Sequence, residues 1–118
     1  MFVWDETDVL TCLEVEPEIE PDAIWYKYIV EKDGLRLELF IYQYDGDIYF
    51  NLYHVGVERA VFFMKLIECP GIRYMKDKSN EYLEFAHAKS FGSRYDGESV
   101  IPFGVRLWVN PSINVELF

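Results

Sequence analysis

A chain of 118 residues with 51% hydrophobic and 18% aromatic content is long enough to bury a core as one domain, and too apolar to stay disordered. Its net charge of −10 disfavours direct binding to nucleic acid, and no run approaches the ~20 apolar residues of a membrane span. Two cysteines, Cys12 and Cys69, are no disulfide framework, and the first residues lack the basic start and long apolar run of a secretory signal, so a cytoplasmic protein with reduced thiols is expected.

The acidity sits at the beginning of the chain. Residues 1–22 hold Asp5, Glu6, Asp8, Glu14, Glu16, Glu18, Glu20 and Asp22 with no Lys or Arg, a charge of −8; the remaining 96 residues carry only −2. Within this segment "VLTCLEVE", 9–16, reads as a strand. In "LEVEPEIEPD" a carboxylate then recurs at every second position from Glu14 to Glu20. Pro17 has no amide hydrogen to give a ladder, so this comb belongs on a sheet edge or outside the sheet.

Residues 24–55 carry the clearest pattern. Three alternating runs are separated by Asp33-Gly34 and Asp45-Gly46, and Asp-Gly between such runs marks a tight hairpin turn. The spacing predicts an antiparallel meander in which Leu35, Leu37, Leu39 and Ile41 share a face and Leu37, Leu39 and Leu52 are buried. The stretch 57–71 fits helical spacing as well as a buried strand and is read as a strand, with a short helical turn allowed at its start and Pro70-Gly71 closing it. After "IRYM", 72–75, come a polar loop at 76–80, an alternating run at 81–88, a long loop at 89–99, and two strands around Asn110-Pro111-Ser112. The fold expected is mainly β: a single domain over 1–118, an antiparallel meander of seven or eight strands, curled into a barrel-like sheet or folded as a two-layer sandwich, with at most one short helix.

No residue pattern identifies a reaction. His54 and His87 each end a strand-like run, outside any nucleophile or metalloprotease motif. Asp45 and Asp47 flank a turn glycine but lack the other ligands of a calcium loop. Cys12 and Cys69 have no neighbouring thiol to lower their pKa and are read as core residues. No cofactor, metal or enzymatic activity is expected. The aromatic stripe Trp25, Tyr26, Tyr28, Tyr42, Tyr44, Tyr49 and Tyr53 is richer, since alternation directs about half of it away from a one-sided core. Exposed tyrosine and tryptophan recur in binding surfaces. The expected contact set is Glu14, Glu16, Glu18, Glu20, Asp22, Trp25, Tyr26 and Tyr28.

The runs "DGLRLELFIYQYDGDIYFNLYHV" and "FFMKLIECPGIRYM", in a short acidic chain, give it a texture that resembles the small immunity proteins of bacterial toxin systems. That resemblance implies a non-enzyme that neutralises one cognate toxin, often a nuclease with a basic cleft, by tight binding. The alternative function is a small-ligand or carbohydrate-binding β-domain with a pocket lined by Trp25, Tyr28 and Trp108.

Overall fold

The computed structural model describes residues 1–92 and 100–118. β2 (Trp25–Lys32), β3 (Leu35–Tyr42) and β4 (Asp47–His54) form the predicted antiparallel meander. Asp33 and Gly34 both take positive φ, 52° and 81°, which gives a two-residue turn whose twist matches its strands. Two strands extend the meander. β5 (Phe62–Leu66) pairs with β4, and the two-residue β1 (Glu18–Ile19) pairs with β2, so the first sheet runs β1-β2-β3-β4-β5.

A second sheet, ordered β6-β7-β8-β9, is built from Ile72–Asp77, Asn80–Gly92, Val100–Trp108 and Asn114–Leu117. The chain is therefore a two-layer sandwich, and the barrel alternative is set aside. Alternation in each strand sends one face inward. Leu37, Leu39 and Ile41 of β3 are fully buried, with Ile48 and Phe50 of β4 beside them; Leu52 is half-buried. From the other layer come Leu83, Phe85, Val105 and Leu107. The Phe50 and Phe85 rings meet edge to face across the two sheets, 4.9 Å between centroids.

Several expectations change. The strand predicted over 9–16 is instead an α-helix, α1 (Glu6–Leu13). Asp5 caps it by accepting a 2.8 Å hydrogen bond from Thr7 N, Glu6 and Asp8 complement the positive end of its dipole, and Val9, Cys12 and Leu13 form its buried face. Those three residues have helical spacing, which outweighs the β-branched side chains that read as strand. No helical turn forms at 57–60, which is an irregular loop. The polar loop of 76–80 shrinks to Lys78-Ser79 between β6 and β7. The strand β7 reaches Gly92, so 89–92 of the predicted loop are strand, and 93–99 lie outside the described residues. Nine strands are described against the seven or eight expected; β1, two residues long, is too short to show a period.

Both thiols are free and buried, as the sequence predicts. Burial pushes Cys12 up to about 12, with the charges of Glu81 and Glu14 adding to it. Cys69 rises to about 11, again by burial, which outweighs a lowering effect of the backbone at Gly71 and Ala86.

Candidate protein-binding surface

The acidic segment is held by its backbone. Helix α1 ends at Glu14, whose left-handed φ of 59° lets its amide donate to Leu10 O at 2.8 Å. Its carboxylate accepts from Asn110 Nδ2 at 3.4 Å. Glu18 and Ile19 pair with Lys27 and Tyr26. Beyond them the chain turns: Ala23 N donates to Glu20 O at 2.7 Å, the Glu20 carboxylate accepts from Asp22 N, and Gln43 Nε2 donates to Ala23 O at 2.5 Å. The carboxylate comb is thus bounded by a helix cap at Glu14 and a turn at Glu20, and only its middle is extended. Among the described residues, none of the ion pairs uses an acid of 1–22: Arg36 pairs with Glu38, and Arg106 with Glu84 and Glu116.

The outer face of the first sheet lies next to this segment. Cross-strand partners share a face, so Glu18, Lys27, Phe40, Tyr49 and Lys65 form one row across all five strands. A neighbouring row joins Trp25, Tyr42 and Asp47. The rings touch one another: Trp25 with Phe40 at 6.0 Å, Tyr42 with Tyr49 at 5.3 Å, Tyr49 with Phe63 at 6.3 Å. Cations cover several of them. Lys65 Nζ lies 4.9 Å from the Tyr49 ring, Lys27 Nζ 5.4 Å from Phe40, and the Arg36 guanidinium 4.5 Å from Tyr53. Phe63 is 60% exposed. Among the described residues no element covers this face, and its mixture of aromatics with Arg is the composition of protein-binding surfaces.

The expected contact residues divide between these environments. Trp25 is on the outer face, and Glu16, Glu18 and Asp22 are exposed. Tyr26 and Tyr28, expected at the surface, pair with Ile41 and Leu39 and are buried, Tyr28 to 1% exposure. Alternation explains this correction, because Trp25 and Tyr26 must point oppositely. Burial raises the phenol pKa of both, with Glu6 adding to each. Phe40, Phe63, Lys27, Arg36 and Lys65 were not anticipated as part of the surface; their signal was their register with Trp25, Tyr42 and Tyr49.

The two histidines lie on different sheets. His54 ends β4 in the first sheet, while His87 lies on β7 in the second, its ring 4.8 Å from Phe118. Asp47 serves the fold, accepting from Glu68 N at 3.2 Å, and no metal-ligand cluster occurs among the described residues. Trp25, Tyr28 and Trp108 share no cavity: Tyr28 points into the core, and Trp108 lies on the other sheet, donating to Asn80 Oδ1 at 2.8 Å.

No family model and no curated protein sequence matches the chain. Among solved structures, it is similar to a chain of the contact-dependent growth inhibition toxin–immunity protein complex from Klebsiella pneumoniae 342. The two align with a TM-score of 0.73 at 16% identity, over 97% of this chain and 92% of the other. The likeness is one of fold across nearly the whole molecule.

Proposed function

We propose that this chain is the immunity member of a contact-dependent toxin–immunity pair, a non-enzymatic inhibitor that binds a basic cognate toxin in the cytoplasm. The observation that carries this reading is the fold shared, almost end to end, with a chain of such a complex. Charge assigns it to the immunity side. An inhibitor of a basic cleft needs fixed, unneutralised acids, and residues 1–22 supply eight of them with no internal cation. The outer sheet face adds rigid aromatic anchors, which hold a complex once steering has formed it. The small-ligand alternative gains nothing from the structure, since its three proposed ring residues lie apart.

The test is growth rescue. The chain is co-expressed with the toxin domain of any toxin gene found beside its own, and separately with an unrelated toxin of the same class. Rescue confined to the cognate pair, with a complex isolated in one-to-one ratio, is the expected result. Undiminished killing by the cognate toxin overturns the reading.

A further inference from the structure

β5 forms one margin of the first sheet, and the hydrogen-bond pattern fixes which of its backbone groups are free. Val55 N donates to Gly34 O, and Gln43 N to Ile24 O. These bonds flank non-bonded antiparallel pairs, Leu35–His54 and Trp25–Tyr42. Bonded and non-bonded pairs alternate, so Ile48, Phe50 and Leu52 turn their N–H and C=O groups to β5, where they meet Leu66, Met64 and Phe62. The backbone groups of Phe63 and Lys65 therefore point away from β4, and among the described residues no strand takes them up.

This margin is also unguarded. Exposed edge strands are ordinarily kept short or given charges and proline. β1 is two residues long and follows Pro17, and β6 carries Arg73, Lys76 and Asp77. β5 reads FFMKL, with Lys65 its one charge, and Val61, Phe62 and Phe63 before and within it are exposed. Phe62 shares a side with buried Met64 and Leu66 yet is 38% exposed. There a groove of about 380 Å³ is lined by Phe62, Met64, and Phe103 and Leu117 of the second sheet.

We propose that the edge of β5 pairs with the same edge of a second copy of this chain, antiparallel and two-fold about Met64, so that the two first sheets become one continuous sheet. In this register Phe63 faces Lys65 of the second copy, and each such pair exchanges both of its free backbone bonds. The ammonium then lies beside the phenyl ring, as Lys65 already lies beside Tyr49 within one chain. On the inner side Met64 meets Met64 and Phe62 meets Leu66, which carries apolar cover over the groove. The adjacent registers are poorer: a two-fold about Lys65 sets like charges directly opposite, and one about Phe63 leaves Lys65 facing Val61.

Charge favours a second copy here over a basic toxin. The acids of 1–22 adjoin β1, at the opposite margin of the sheet, whereas 57–67 hold only Glu58 against Arg59 and Lys65. Strands lie about 4.8 Å apart, so joining at β5 leaves the two β1 strands roughly 43 Å apart, far beyond the ~8 Å screening length. The net charge of −10 per chain therefore opposes the pairing little, and both acidic segments stay open at the outer margins. A two-fold contact of this kind uses up the edge, so assembly stops at the dimer.

Sedimentation velocity of the full chain over a wide concentration range tests this. The expected result is a concentration-dependent step from monomer to dimer with no larger species. Phe63→Lys sets lysine against lysine in both pairs and should weaken the dimer by about tenfold or more, whereas Phe63→Glu gives Lys65 of the second copy a carboxylate and should keep it. The side chain is exposed, so both variants should retain the circular dichroism of wild type. Loss of the dimer in both variants overturns the register, since it is the result for Phe63 facing Phe63. A dimer untouched by Phe63→Lys, growth beyond two copies, or a wild type that is monomeric throughout and takes up only a toxin strand at β5 overturns the proposal.

Discussion

The fate of Tyr26 and Tyr28 follows from one turn. With two residues between β2 and β3, Lys32 faces Leu35, and counting back places Tyr28 opposite Leu39 and Tyr26 opposite Ile41. Opposite residues share a face, so both tyrosines join the buried leucines. The inner face was therefore legible in the Asp33-Gly34 turn. Leu39, fully buried, tests the assignment of faces: Leu39→Ala should lower stability by about 2–5 kcal/mol in urea unfolding, the range for emptying a well-packed leucine site. Cys12 makes a second test. Its folded pKa, about 12, exceeds the ordinary 9.0, so the folded state keeps a proton that the unfolded state loses between those values. The corresponding stability is complete below pH 9 and disappears as pH rises towards 12, with Cys69 adding to the decline between 9 and about 11. Urea midpoints should fall as pH is raised above 9, and less steeply in Cys12→Ala. In the native protein at neutral pH, a thiol-specific chromogenic reagent should find neither cysteine until denaturant is added.

At the scale of elements, strands with their own period were readable and elements sustained by tertiary contact were not. The meander has alternation and turn chemistry in the same stretch. The helix α1 has eight residues, too short to be stable alone, and exists because Val9, Cys12 and Leu13 dock into the core. Its capping aspartate and acidic first turn were present in "DETD" but were outweighed by the alternation that follows. The hairpin turns also differ in what they tolerate. Gly34 and Gly46 both occupy left-handed backbone, yet a Cβ on Gly34 meets nothing within 4 Å, while one on Gly46 would stand 2.6 Å from the Cys69 carbonyl oxygen. Gly34→Ala should cost roughly 1–2 kcal/mol, the penalty of the conformation alone. Gly46→Ala should cost measurably more, because the opposing atom is backbone and cannot swing aside. Paired chemical-denaturation curves for the two variants check the order, and equal midpoints would show that the β5–β6 connection yields.

For the whole molecule, the asymmetry of charge was plain in the sequence, and its shape was not. Glu14 and Glu20 leave the extended line because of a helix end and a turn, each fixed by partners distant in the chain, Asn110 and Gln43. The choice of a sandwich over a barrel was equally hidden, since it depends on Phe50 meeting Phe85 across a gap that no local pattern spans. What survives is a surface with its negative charge concentrated at one place, and this makes a kinetic prediction. Replacing Glu14, Glu16, Glu18 and Glu20 together by Gln should leave folding almost unchanged, as exposed charges contribute little to it. Association with the basic toxin should slow by about tenfold or more, and the difference should shrink as salt shortens the screening length below about 8 Å. Stopped-flow rates at two ionic strengths measure this. Equal rates for both proteins would reduce the acids to a solubility device.

The attachment of the N-terminus has a consequence for biosynthesis. Val3 forms a parallel bridge to Gly71, donating to Pro70 O at 2.9 Å and accepting from Ile72 N at 3.0 Å, and α1 rests on β6 and β7. A ribosome adds about 5–20 residues per second, so these partners emerge on the order of seconds after the first residues do. The meander between them needs only its own neighbours and can assemble in the interval. The acidic segment is thus made before the strands on which it is seated, and must wait for them.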